Sequence, residues 1–307
     1  MKEEEIIRSL YPDGREQLND CYLGEDGILI TTDTIVEETH FRLDWSSPAD
    51  IASKLVEVNV SDIVAANGLP TKAFFNFGLS SNCNNKDFLN PFLDSFRKKI
   101  NRYEIELCGG DTYRSHELNL TLTLLGKSNS PLNRVNGKAG DKIYLSGHVG
   151  SSFLGYKILK GYASNVPEAL HSQSLERHLR PTARIELVDS LLGQNEVHSC
   201  MDLTDGLVQD LSKLSKASNL VMEVNIEQIP HLPGILDFLT LEEFLSSGEE
   251  LELIVLSSED LPSECKGIPV TQIGTCRKVE EGETPNAYFH LNGKTWIPKN
   301  PGFLHFA

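Results

Sequence analysis

The chain has 307 residues, which at roughly 100 to 200 per domain is room for two domains, and it carries 28 Lys and Arg against 44 Asp and Glu, a formal net charge of −16. That surface repels the phosphate backbone on which nucleic-acid affinity depends, so DNA or RNA binding is excluded as a general role, and a polyanionic ligand needs placed arginines or cations held on carboxylates. Six cysteines with no C-x-x-C pair, no window near the ~20 apolar residues of a membrane helix, and charges at Lys2 to Glu5 where a signal peptide needs an apolar core lead to the expectation of a cytoplasmic protein with reduced thiols and no membrane partner.

Residues 3–10 read as a short helix with acidic residues at its start, and Gly24 to Gly27 as a turn before a strand over Ile28–Val36. Ile51, Leu55, Val58, Ile63 and Ala66 recur at helical spacing, with Pro48 at the start and Gly68 and Pro70 as stop signals. Strands over 73–79 and 118–126 bracket a helix over 87–102. The turn-rich segment from Pro131 to Asp141 marks a boundary, giving an N-terminal domain over 1–135 and a C-terminal domain over 136–307. Beyond it come a strand at Ile143-Tyr144-Leu145, a loop over 147–152, a helix from Phe153, and a further helix marked by Leu207, Leu211 and Leu214. The tail from Asn286 reads as short strand and loop. The fold class expected is α+β in two domains, a mixed sheet with helices followed by an α/β sandwich.

Two remnants of a phosphate-binding loop can be set aside. Gly126-Lys127-Ser128 and Gly293-Lys294-Thr295 lack the earlier glycine, whose places are held by Thr121 and Tyr288. What recurs is an Asp where an apolar segment gives way to small or hydroxyl residues: Asn19-Asp20-Cys21, Thr31-Thr32-Asp33, Ser61-Asp62, Gly109-Gly110-Asp111 and Asp202-Leu203-Thr204-Asp205-Gly206. An Asp in such company is ordinarily a cap or turn former. Asp62 differs, because it lies within a helical run on an apolar-flanked face, where an unpaired carboxylate is costly and calls for a cation. Converging carboxylates of this kind would hold Mg²⁺, which binds a few carboxylates together with substrate phosphates. Gly109-Gly110 would let backbone approach a phosphate, the helix start near Thr204 to Gly206 would offer N–H groups to an anion, and Arg114 and Arg134 are the cations nearest in sequence.

Taken in order, Asp20-Cys21, Thr31-Thr32-Asp33-Thr34-Ile35-Val36 with His40-Phe41, Val58 to Ile63, Gly109 to Thr112, Asn133-Arg134, Asp202 to Leu207 and the terminal Gly302 to Phe306 resemble the thiamine-monophosphate kinases. These form one branch of the superfamily that also holds aminoimidazole ribonucleotide synthetase and selenophosphate synthetase. The resemblance spans nearly the whole chain. It implies an N-terminal domain whose strands pair with a second subunit into a barrel, hence a homodimer, and a C-terminal α/β domain packed against it. It also implies ATP-dependent phosphorylation of thiamine monophosphate with several Mg²⁺ ions, and ATP and thiamine monophosphate as ligands. Carried over residue by residue, it assigns Asp20, Thr31, Thr32, Asp33, Asp62, Asp111, Asp202 and Asp205 to metal and Gly110, Asp111, Arg134 and Thr204 to nucleotide. Asp33, Asp62, Asp111 and Asp202 are the expected catalytic set, and His40, Glu250 and Phe303 the substrate side.

The chain departs from the family where Gly-Ile-Gly-Asp-Asp becomes Gln17-Leu18-Asn19-Asp20, and where Gly-Gly-Glu-Asp-Tyr-Glu-Leu becomes Ser247-Gly248-Glu249-Glu250-Leu251-Glu252-Leu253. The acceptor in this chemistry is a phosphate oxygen, largely ionised at neutral pH, so positioning and charge neutralisation replace a protein base. His40 is therefore expected as a substrate contact or a structural hydrogen-bonding residue, and Phe303 and Trp296 as stacking partners for a ring or as packing of the tail. Cys21 has no basic neighbour in sequence to activate it. The alternatives are another ATP-dependent ligase or kinase of the superfamily and a catalytically silent nucleotide-binding paralogue.

Overall fold

Alternation in the run Ile28–Val36 builds the first sheet. Leu29, Thr31, Asp33 and Ile35 turn inward, while Ile28, Thr32 and Thr34 are exposed on the opposite face. The computed structural model describes residues 19–299 together with Ile6, Ser9 and Leu10. The helix expected over 3–10 falls mostly outside the described residues. The first sheet comprises β1 (Tyr22–Leu23), β2 (Ile28–Val36), β3 (Leu69–Leu79), β4 (Glu106–Arg114) and β5 (Asn119–Lys127), in the order β1-β2-β5-β3-β4. All its pairings are antiparallel except β3 with β4. On the inner face Leu120, Leu122 and Leu124 are wholly buried.

Two helices cover that inner face. Helix α1 (Pro48–Ala65) starts with a capping box between Ser47 and Asp50 and with proline in its first turn. Helix α2 (Lys86–Arg102) is capped by Asn85 and buries Phe88, Phe92, Phe96 and Ile100 at four-residue intervals. Its Phe92 and Phe96 rings stack on Phe75 and Phe77 of β3, with centroids 4.8 to 6.1 Å apart. Helix α1 is different, because every residue from Asp50 to Ala65 is buried. It has the first sheet on one side and the second domain on the other.

The second domain is built on an eight-stranded sheet. Its strands are β6 (Lys142–Ser146), β7 (Val197–Asp202), β8 (Leu220–Asn225), β9 (Leu253–Ser257), β10 (Glu264–Cys265), β11 (Ile268–Lys278), β12 (Asn286–Leu291) and β13 (Lys294–Trp296). The order is β13-β12-β8-β11-β6-β9-β7, with β10 on β11. One face, through Tyr144, Leu253, Val255 and Val270, joins the core of the first domain and the segment carrying Ala183, Leu187 and Leu191. The other face packs on α3 (Ser151–Leu159), α5 (Leu207–Ser218) and α6 (Leu241–Leu245), and α4 (Glu168–Leu179) lies beside α3. The α+β class holds. The apparent strand–helix alternation does not produce a parallel sheet, however, since only β8 with β12 is parallel. Strand β4 has no counterpart in the sequence reading, which took Gly109-Gly110 for a place where backbone could approach a phosphate. All nine of its residues are exposed, so it carries no alternation of apolar and polar residues to read.

Burial of α1 obliges its polar groups to find partners inside the protein. Glu57, with no exposed surface, accepts from Lys99 Nζ at 2.5 Å, Tyr103 Oη at 2.7 Å and the Ala183 backbone N–H at 2.9 Å. Replacing Glu57 by Ala is expected to destabilise the protein by about 3 kcal/mol, since it leaves a phenol and an amide unpaired, and Glu57→Gln by less. Urea unfolding of the two variants checks this, and an unchanged midpoint for the alanine variant would contradict it.

Candidate active site

A cleft of about 940 Å³ opens between the two sheets along the edge of β2. Three carboxylates meet in it: Asp20 before β1, Asp62 in the penultimate turn of α1 and Asp202 at the end of β7 have oxygens within 4.8 Å of one another. Local structure aims each of them. Thr31 Oγ1, on the inner face of β2, donates to Asp62 Oδ2 at 2.5 Å, and Ser61 Oγ donates to Asp202 Oδ2 at 2.6 Å. Arg134 donates to both oxygens of Asp20, from Nε at 3.3 Å and from Nη2. Asn19 is tied into the same group, for its Oδ1 accepts the Arg134 backbone N–H at 2.9 Å. Asp33 stands next to the trio, and its own N–H donates to Asn59 Oδ1 of α1 at 3.1 Å.

Burial, compounded by neighbouring carboxylates, raises the proton affinity of Asp33, Asp62 and Asp202. Burial, followed by Asp20 and Asp205, pushes Asp33 up to about 6. Burial first, then Asp33 and Asp202, holds Asp62 well above the usual carboxylate range, and burial with Asp20 does the same for Asp202. Among the described residues Arg134 is the guanidinium bonded into this group, and it is committed to Asp20. Hard oxygen donors at this separation, short of positive charge, are the donor set a divalent cation such as Mg²⁺ takes. Burial, then Asp20 and Asp62, drives the Cys21 thiol far up, so it is no thiolate nucleophile.

The other expected residues divide. Asp205 and Thr204 line the cleft, Asp205 bonded to Lys213 and to Gln209 Nε2 at 3.1 Å. The backbone N–H groups of Thr204 and Asp205, expected to be open to an anion, are occupied by Asp210 Oδ2 at 3.0 and 2.9 Å. His40 lines the cleft, and its Nδ1 accepts the Val36 N–H at 3.1 Å. Thr32 borders the cleft as well, but its hydroxyl is turned by strand alternation to the outer face, where it pairs with Thr123 at 3.0 Å.

Asp111 also belongs to that outer face. It is in register with Asn76, Thr121 and Thr34, three strands from β2 and so about 14 Å across the sheet, and it is not among the residues lining the cleft. A Cβ on Gly110 would stand 1.8 Å from the Phe75 carbonyl oxygen, so close packing of β4 on β3 already requires a glycine there. Glu250 is wholly buried away from the cleft, accepting from Ser247 Oγ at 2.6 Å and the Ser152 N–H at 3.0 Å. Glu249 faces the cleft in its stead, because positive φ at Glu249 (53°) and Leu251 (51°) twists the segment. Trp296 packs edge-on against Phe289 at the far margin of the second sheet, so of its two expected roles it takes packing. Phe303 lies outside the described residues.

The sequence reading missed the far wall. Trp45, Phe153, Tyr156 and His178 line it, with ring centroids 5.9 Å apart for Phe153 and Tyr156 and 6.3 Å for Trp45 and Tyr156. Lys160 Nζ lies 5.2 Å from the Trp45 ring, and so does the Arg42 guanidinium. These residues come from segments remote from one another, so no local motif joins them. Lys54, the one basic residue of α1, was the available signal that the helix meets an acid beyond itself.

Fold and site define the class: a two-domain α+β protein that gathers carboxylates from both domains at one cleft. Residues 19–128 match the AIR synthase related protein, N-terminal domain, and residues 138–283 match its C-terminal domain. The chain is 51% identical to the thiamine-monophosphate kinase of Leptospira interrogans serogroup Icterohaemorrhagiae serovar Lai, covering 100% of this chain and 98% of the relative. It is 33% identical to that of Haemophilus influenzae, over 91% of this chain and 86% of the relative. The solved structure of AaThiL complexed with AMPPCP and TMP superposes with a TM-score of 0.83 at 26% identity, covering 99% and 96% of the two chains. The hydrogenase maturation protein HypE in complex with ATP shares the fold, with a TM-score of 0.70 at 18% identity over 96% and 94% of the two chains. The chain belongs to the AIR synthase related family and, within it, to the thiamine-monophosphate kinases.

One buried acid outside the trio gives a pH dependence. Burial, only partly offset by Arg177, pushes Glu250 up to about 7. An acid whose folded pKa is raised contributes stability at low pH that is lost as pH rises through that value, here between about 4.5 and 7. Glu250→Gln is therefore expected to gain stability on the native protein as pH rises from 5 to 8, by at most about 3 kcal/mol. Thermal melting of both proteins across that range tests it, and a constant difference would refute it.

Proposed function

We propose that this cleft catalyses ATP-dependent phosphorylation of thiamine monophosphate to thiamine diphosphate by direct in-line transfer. The observation that carries the reading is the placement of a buried carboxylate trio and an aromatic wall in one cavity. The kinases to which the chain is similar, and the relative solved with AMPPCP and TMP, support it. Asp20, Asp33, Asp62 and Asp202 would hold Mg²⁺, with Asp205 at the margin. Bound there, Mg²⁺ offsets the charge of two phosphorylated ligands and of the group in transfer.

The chain's own residues supply the rest. Thr31 and Ser61 fix the carboxylate orientations through their hydrogen bonds, and Arg134 neutralises Asp20 and offers a guanidinium edge to a nucleotide phosphate. Thr204 contributes its side chain to the nucleotide end, and His40 lies toward the substrate end. No side chain needs to remove a proton from the acceptor, which is already ionised.

Gly110 and Asp111 enter the reading through a second copy. The outer face of the first sheet exposes Ile28, Leu69, Phe74 and Tyr113, each more than 40% accessible, and β4 presents an open edge. A homodimer closed on this face would bury that apolar surface and bring Asp111 to the border between subunits. Among the described residues no helix is long and apolar enough to cross a membrane, and we assign the enzyme to the cytoplasm, with ATP and Mg²⁺ at hand.

Chromatographic assay of diphosphate formation from thiamine monophosphate, ATP and Mg²⁺ tests the proposal. Asp62→Asn is expected to reduce turnover at least about 100-fold while leaving the melting temperature equal or higher, since it removes a buried like charge. Near-normal turnover in that variant would overturn the assignment.

A further inference from the structure

The wall of the cleft opposite the carboxylate trio has a charge arrangement of its own. Lys54 of α1, its side chain 4% exposed, donates from Nζ to Glu249 Oε2 at 2.7 Å and to the His40 carbonyl oxygen at 3.3 Å. Glu249 keeps 29% of its side chain exposed and lines the cleft. Its backbone is in the left-handed region, which non-glycine residues seldom adopt, and neighbouring chain holds it there. The Glu249 N–H donates to the Thr204 carbonyl at 2.7 Å and the Leu251 N–H to the Leu203 carbonyl at 3.1 Å. At Gly248 a Cβ would come within 2.5 Å of Thr204 O, so the strap lies flat on the end of the strand that bears Asp202.

The surroundings keep Glu249 an anion in a cleft that rings also line. Burial raises its proton affinity, but Lys54 outweighs that and holds it below the usual range. His178, 6.0 Å from the Tyr156 ring, is pushed down to about 4 by burial and by Lys54, and is neutral at working pH. Glu38, another acid on this side, is bonded to Arg42 at 2.7 Å. Glu249 lines the same cleft as Phe153 and Tyr156, and with Arg42 and Lys160 already over the Trp45 ring its carboxylate is the group there suited to a flat aromatic ligand with a permanent positive charge.

We propose that Glu249 reads the positive charge of the thiazolium ring of thiamine monophosphate, and that Lys54 is a positioning residue that holds the Glu249 carboxylate at the cleft wall. The inference rests on the function proposed above and adds to it the feature of the substrate by which this wall selects.

Two measurements on the full chain test it. In steady-state kinetics Glu249→Gln is expected to raise KM for thiamine monophosphate roughly tenfold, with KM for ATP shifted far less. Lys54→Met should give the same selective rise, the double variant no more than the larger single effect, and Lys54→Arg most of the native value. Calorimetry compares a neutral thiazole bearing a phosphoethyl group with its N-methylated thiazolium counterpart. The native protein should bind the charged compound roughly tenfold more tightly, and Glu249→Gln should lose that preference even if Lys54→Met fails to fold. Equal rises in both KM values, additive effects in the double variant, or a preference that survives in Glu249→Gln would each overturn the inference. A native protein that does not phosphorylate thiamine monophosphate would instead overturn the function, since the calorimetric preference is read without turnover.

Discussion

Helix α1 has no solvent face, and from that constraint the arrangement of both domains follows. An amphipathic helix can leave its polar residues in water; this one cannot, and apart from Ser53 its buried polar side chains meet partners on surrounding elements. Asp50 meets Arg180 at 3.0 Å, Lys54 meets Glu249, Glu57 meets Lys99 and the Ala183 amide, Asn59 meets the backbone of Asp33, Ser61 meets Asp202 and Asp62 meets Thr31. The helix thereby fastens the first sheet, α2 and the second domain to one rigid rod. Site residues carried on such a rod and on strand ends are held more closely than loops would hold them.

The same burial makes the site unfavourable to assemble. Asp20, Asp33, Asp62 and Asp202 are brought together at a largely buried cleft wall that water screens poorly, and Arg134 answers only one of them directly. The raised proton affinities of Asp33, Asp62 and Asp202 are the measure of that conflict. Cations and phosphorylated ligands relieve it, so the energy stored in like charges becomes affinity for a metal and, through it, for polyanions. An acidic protein with a net charge of −16 can in this way attract phosphate without a basic surface.

The cleft separates its tasks in space. Carboxylates drawn from both domains occupy one end, and rings, a paired lysine and an acid occupy the other. The outer face of the first sheet, with exposed Phe74 and Tyr113 and with Asp111 in its register, belongs to neither end within one chain. That division explains why one run of sequence, Thr31-Thr32-Asp33, serves two surfaces: alternate side chains of a strand cannot share a face.

What could be read from the sequence was what depends on near neighbours. The periodicity of Ile51, Leu55, Val58 and Ile63 declared α1, and an Asp inside that run declared a buried carboxylate in need of a partner. The recurrence of Asp beside small residues marked Asp20, Asp33, Asp62 and Asp202 before any of them could be seen together, and the family resemblance supplied the chemistry. The tertiary structure alone decided which side of a strand or strap faces the cleft. It turned Thr31 toward Asp62 and Thr32 toward Thr123, exposed Glu249 and buried Glu250, closed the Thr204 and Asp205 amides with Asp210, and carried Asp111 to the outer face. Apart from the Asp210 contacts, which span only five and six positions, those outcomes depend on contacts between residues tens to hundreds of positions apart or on a local twist imposed by such contacts, and composition and spacing carry no record of them.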